Sequence, residues 1–123
     1  MVTDVVTIDG IATIREALHV MREKRIKSLV VNRRSKDDAY GIVTFYDIIE
    51  KVVTRRRQLD MTNVCDIMTK PLLTVSQGLR IKYAAGLMSQ FDVKRAVIIK
   101  EGELVALISM EDIVYSLLDD EDD

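Results

Sequence analysis

Apolar and polar positions along the chain follow one pattern that is written twice. Ile14, Ala17, Leu18 and Met21 recur at the spacing of a single buried helix face. Thr13, with Glu16 three residues on, is a capping box that opens this helix. Ahead of it, "VVTI" at 5–8 is β-branched and predicts a short strand. After it, "SLVV" at 28–31 and "YGIVT" at 40–44 predict two strands whose continuous apolar character calls for burial on both faces. The charged "NRRSKDD" at 32–38 is the turn between them, and a second helix over "YDIIEKVVTRRR" at 46–57 closes the unit. The second half repeats the order: "LLTV", a stripe of Ile81, Ala84, Ala85 and Met88, the strands "AVII" and "LVALIS" around "EGE", and the helix "EDIVYSLL".

Laid along itself, the chain puts Thr7 on Thr74, Ile14 on Ile81, Met21 on Met88, Lys27 on Lys94 and Val30 on Val97. Two residues then drop out, and "GIVTFYDII" at 41–49 falls on "ALISMEDIV" at 106–114. Two copies are too few for a solenoid. Each β-α-β-β-α copy, at about 60 residues, would be marginal alone. The expected architecture is therefore α/β, with two repeats sharing a core about a pseudo-twofold axis. The boundaries expected are 1–58 for the first repeat and 59–123 for the second with its acidic tail.

Composition removes several classes of function. The net charge is −2, which gives no reason to expect nucleic acid or an anionic membrane as partner. No apolar run approaches the roughly 20 residues of a membrane span, and nothing at the N-terminus resembles a signal peptide. A single cysteine, Cys65, leaves no disulfide framework or thiolate metal cluster, so a reducing cytoplasmic setting is expected. Cys65 lies among apolar residues in "TNVCDIM" and reads as a buried structural thiol. The one histidine, His19, reads as a surface or boundary residue. Glycine-rich phosphate loops, HExxH and GxSxG are all missing. No metal site, catalytic residue or required cofactor is expected, and the chain does not read as an enzyme.

The repeated chemistry is Thr44 three residues before Asp47, and Ser109 three residues before Asp112. A hydroxyl and an acid at this spacing form a helix cap in their own right. The same geometry suits a ligand: a carboxylate offers two acceptors to a ribose cis-diol, and a helix start suits phosphate. Lys27 and Lys94, each just ahead of a strand, either balance such a phosphate or face solvent, and Arg95 makes the second copy more basic than the first, where Ser28 stands.

The stretch "DIMTKPLLTV…AAGLM…VKRAVIIKEGELVALISMEDIV" resembles a CBS domain, and the whole chain resembles a tandem CBS pair, the Bateman module. The resemblance implies the fold inferred above, with a cleft between the halves for adenosyl ligands such as AMP, ADP, ATP or S-adenosylmethionine. It implies that Asp47 and Asp112 bind ribose hydroxyls while Thr44 and Ser109 approach a phosphate. It also implies phosphate contacts from Lys27 and Lys94, and an adenine lined by the backbone around Thr69, Lys70 and Leu72. Two departures stand out. "VCDI" at 64–67 has no counterpart ahead of the first copy, as expected of a fragment, which would leave the Asp112 cleft without its base-side wall. Ala106 stands where the motif has glycine, seen as Gly41, so a methyl there could crowd a ligand.

The remaining features read as structural. "TRRRQ" at 54–58 is a cationic helix end, "DDEDD" at 119–123 a solvated tail rather than a divalent-ion site, and the six methionines are packing. Ile48, Ile49, Val52 and Val53, with Ile113, Val114, Leu117 and Leu118, leave apolar surface for a homodimer seam. Two functional classes follow. One is a non-enzymatic adenosyl-nucleotide sensor that homodimerises and informs an unknown effector domain or protein. The other is a structural dimerisation module without a small-molecule ligand, or a regulatory fragment of a larger enzyme or transporter.

Overall fold

Backbone pairing reproduces the duplication register for register. The computed structural model describes residues 3–119. The beginning of the first repeat at residues 1–2, and all of the acidic run after Asp119, lie outside the described residues. Two compact units emerge, one spanning Val6–Pro71 and the other Leu72 onward together with residues 1–5.

The Val6–Pro71 unit contains strand β1 (Thr7–Ile8), helix α1 (Ile14–Lys24), strands β2 (Ser28–Val31) and β3 (Gly41–Thr44), helix α2 (Phe45–Ile48) and the short helix α3 (Val64–Ile67). The second unit contains β4 (Leu73–Ser76), α4 (Ile81–Gln90), β5 (Arg95–Lys100), β6 (Glu103–Ser109) and α5 (Met110–Ser116). Each has a three-stranded sheet in which the first strand pairs parallel, and the third antiparallel, to a central second strand. Ser28 faces Thr44 where Arg95 faces Ser109, and Val31 faces Gly41 where Ile98 faces Ala106. Beyond Ile98 a bulge shifts the register, and the second hairpin closes through Glu101 and Gly102, both at positive φ as a tight two-residue turn requires.

Helix α1 begins on the predicted Thr13–Glu16 capping box and buries Ile14, Ala17 and Met21. Its C-cap, Arg25, takes a left-handed φ of 57°, and Asp92 repeats this at 53° after α4. The αL residue turns the chain back into the central strand, its following amide bonding Met21 or Met88. Helix α2 is shorter than the pattern predicted. After Ile48 it widens into a π-helical turn over Ile49–Val53, and Thr54–Arg57 winds off through turn bonds, so the arginine cluster lies just past the helix rather than on it. Helix α5 ends in a 3₁₀ turn over Leu117–Asp119.

The segment after α2 completes the first core. Val64 and Ile67 are fully buried among Ile14, Leu29, Val43 and Val52. The amides of Ile14, Val64 and Cys65 bond the carbonyls of Thr62, Ala12 and Gly10, tying the segment to the start of α1. Cys65 itself is exposed, contrary to the buried thiol expected. Helix α3 is a single turn, and its apolar contacts are made by the residues on either side of the cysteine.

After α3, Thr69 pairs with the open edge of β3. Its amide donates to the Ile42 carbonyl at 2.8 Å and its carbonyl accepts from the Ile42 amide at 2.9 Å. Gly41 makes this approach possible. A Cβ at that position would lie 2.8 Å from Met68 Sδ and 3.3 Å from the Thr69 carbonyl. The next residue, Lys70, donates to Asp38 at 2.6 Å, and the other Asp38 oxygen accepts from the Arg34 amide at 2.9 Å. Lys70 first, then the Arg34 amide, hold the Asp38 carboxyl well below the ordinary carboxylate range.

Two outcomes are expected. Gly41→Ala should destabilise the protein by about 1–3 kcal/mol, the cost of overpacking against neighbouring chain, measured by urea unfolding. Because the folded Asp38 pKa is depressed, its contribution is complete above its unfolded value of about 4 and disappears as pH falls through the folded value. Asp38→Asn should therefore melt below the wild type at pH 7, with the gap closing only as the pH is taken well below 4.

Candidate functional site

In each unit the antiparallel hairpin delivers a hydroxyl to the start of a helix. Thr44 ends β3 and caps α2. Its amide and hydroxyl donate to Asp47 Oδ2 at 2.9 and 3.0 Å, and its hydroxyl accepts from the Asp47 amide at 3.2 Å. Ser109 and Asp112 repeat the arrangement at 2.8, 3.0 and 3.2 Å. Both pairs are thus complete capping boxes, and one oxygen of each carboxylate is spent on the cap. Desolvation acts to raise the Asp112 carboxyl. Hydrogen bonds, among them those from the Ser109 amide and hydroxyl, outweigh it and leave the group below its ordinary value.

The strand entrances sit beside these turns. The Phe45 amide, one residue past Thr44, bonds the Lys27 carbonyl, and the Met110 amide bonds the Lys94 carbonyl, both at 3.0 Å. Lys27 and Lys94 are exposed, while Arg95, the cross-strand partner of Ser109, is half-buried. Thr44, Asp47 and Lys27 are thereby gathered within the first unit, and Ser109, Asp112, Lys94 and Arg95 within the second.

The first unit adds residues from its last segment. The Thr69 hydroxyl donates to Asp47 Oδ1 at 3.4 Å, a long bond, as a consequence of the bridge to Ile42. The Lys70 side chain is engaged with Asp38. Leu72 is buried and begins the second unit. The close approach at Gly41 is to the chain's own Met68 and Thr69, so the absence of a methyl there already serves packing.

Lys51 escaped the sequence reading. Its ammonium lies 3.6 Å from Asp47 Oδ1 and donates to the Ile67 carbonyl at 3.0 Å. Asp47, 5% exposed, therefore has a partner on each oxygen. The signal available in sequence was the Asp-to-Lys spacing of four residues, which puts both on one helix face. The repeat supplies a contrast: the position corresponding to Lys51 is Ser116, whose hydroxyl bonds the Ile113 carbonyl. Among the described residues no group of histidine, cysteine or acidic side chains is arranged to hold a metal ion, and no helix is long and apolar enough to cross a membrane.

Comparison with known proteins agrees with this geometry. The CBS domain model matches residues 1–54 and 64–119. The chain is 38% identical to the hexameric CBS-CP12 protein from bloom-forming cyanobacteria, with a TM-score of 0.83, covering 94% of this chain and 66% of that one. It is 30% identical to a protein with CBS domains from Burkholderia ambifaria MC40-6, with a TM-score of 0.78 and coverage of 98% and 88%. An uncharacterised protein of Methanopyrus kandleri is 33% identical over 112 residues, 90% of this chain and 57% of that protein. A mitochondrial CBS domain-containing protein of Arabidopsis thaliana is 28% identical over 109 residues, 86% and 53%. The chain thus spans a little over half the length of these curated relatives. The two matches cover the two repeats, each with its hydroxyl–aspartate turn, the second beginning at α3 within the Val6–Pro71 unit, and the chain belongs to the CBS-domain family as a tandem pair of repeats.

Proposed function

We propose that the chain is a regulatory module that binds an adenosyl nucleotide, AMP, ADP, ATP or S-adenosylmethionine, and carries out no reaction on it. The observation that carries this reading is the gathering of Thr44, Asp47, Thr69 and Lys27 around one helix start. A carboxylate, two hydroxyls and a nearby ammonium suit a ribose diol and a phosphate. Ser109, Asp112, Lys94 and Arg95 repeat the set, with Ser116 at the position of Lys51. Around the Thr44–Asp47 turn, the backbone near Thr69 and Lys70 would serve the adenine. Ligand energy then favours one arrangement of the module over another, and a partner protein or further domain reads the difference. The module works as a homodimer in the cytoplasm.

A second reading has its own support. Both aspartates are complete caps, and Tyr46, Ile49 and Val53 in one unit, with Val114, Tyr115 and Leu118 in the other, are exposed. A structural dimerisation module would need those surfaces and no ligand.

Thermal shift separates the two. At about a hundred times its dissociation constant, a ligand adds about 2.7 kcal/mol of stability. The expected result is a shift with an adenosyl compound that Asp47→Asn, which retains a capping acceptor, removes or greatly reduces, with Asp112→Asn tested alongside. No shift with any compound, together with lower melting of Asp47→Ala and Asp112→Ala by the roughly 0.5–2 kcal/mol of a lost cap, would establish the structural module instead.

Lys51 makes a separate prediction. A ribose reaching Asp47 Oδ1 must displace its ammonium, so Lys51→Met should bind adenosine several-fold more tightly in calorimetric titration. Adenosine is the appropriate probe because it has no phosphate for the lysine to attract.

A further inference from the structure

The Val6–Pro71 unit carries a groove of about 610 Å³ beside the Thr44–Asp47 turn, with Phe45 and Lys27 on its lining. Its floor is apolar, made by Leu18, Met21, Ile26, Phe45 and Leu59. Its rim is cationic: Arg22, Arg25 and Lys27 line it, and Arg15 joins them while paired with Asp60 at 2.7 Å. No carboxylate is among the lining residues. Among the described residues Arg22, Arg25 and Lys27 enter no ion pair, so three positive charges border an apolar trough with nothing to balance them.

The chain itself contains a segment of complementary character. Leu117 and Leu118 are 64% and 80% exposed at the end of α5. The sequence then runs Asp119, Asp120, Glu121, Asp122, Asp123, the densest negative stretch in the protein. Two leucines ahead of an acidic run match an apolar floor beside a cationic rim in both chemistry and order. Exposed charges interact over about 8 Å at physiological ionic strength, so five acids concentrated beside three cations attract appreciably even with solvent between them.

We infer that this groove receives the C-terminal segment, Leu117–Asp123, of a second copy of the chain. A second copy is favoured as the source because the closing helices leave Tyr46, Ile49, Val53, Val114 and Tyr115 more than half exposed, surface that association of two copies would cover. The inference rests on the homodimer reading and adds the contact that holds the dimer and makes it salt-sensitive.

The test uses the full chain. Isotopically light and heavy copies are mixed, equilibrated and treated with a carbodiimide, which joins a carboxylate to a lysine amine with loss of water. Links from Lys27 to Asp119–Asp123 are expected in light–heavy pairs. In parallel, sedimentation should show the Arg22→Glu/Arg25→Glu variant dimerising at least tenfold more weakly at low salt while melting like the wild type. Combining it with Asp119→Lys, Asp120→Lys and Glu121→Lys should restore dimerisation. A dimer indifferent to both sets of changes, or linked only within single copies, would overturn the groove assignment and leave the homodimer reading standing. A chain that stays monomeric at all concentrations would overturn both.

Discussion

The pair of hydrogen bonds between Thr69 and Ile42 is the constraint on which the first unit depends. An edge strand left open exposes unpaired amides and carbonyls, and β3 is closed on that side by the chain that follows α3. The bridge brings the Thr69 hydroxyl within reach of Asp47, and α3 just before it carries the Ile67 carbonyl to Lys51. It also lets Lys70 meet Asp38 across the hairpin turn. Gly41 is the local requirement, since a side chain there would collide with Met68 and Thr69.

The duplicated turn puts the same capping geometry to work in both units. In each copy the hydroxyl–aspartate pair satisfies amides that a helix start would otherwise leave without partners, and that use occupies one carboxylate oxygen. The other oxygen of each carboxylate lies outside the cap. In the first copy this second oxygen faces Lys51, and at the corresponding place in the second copy stands Ser116. Two turns with the same backbone and the same cap therefore differ in the side chain one helical turn on.

Much of this was legible in the sequence. A 3.6-residue period marked α1 and α4, and continuous apolar runs marked the hairpin strands, because burial on one helix face or on both strand faces leaves a direct trace in residue type. The Thr13–Glu16, Thr44–Asp47 and Ser109–Asp112 caps were visible because their partners are three residues apart. Less visible were the π-helical widening after Ile48 and the single turn of α3, which are too short for a period to show. Cys65 was misread because apolar neighbours suggested burial, whereas on one helical turn Val64 and Ile67 face inward and the cysteine between them faces out.

By itself, then, the sequence determined the repeated β-α-β-β-α order, the core stripes and the caps, all of which rest on interactions between residues close in the chain or on the hydrophobic pattern. Only the tertiary structure decided that Thr69 closes β3, that Lys51 holds Asp47 and the Ile67 carbonyl together, and that Arg22, Arg25 and Lys27 border one apolar groove. Apart from the four-residue step from Asp47 to Lys51, those contacts join residues whose separation in sequence carries no period. Their meeting is a consequence of how the elements pack, and packing is settled by the whole unit at once.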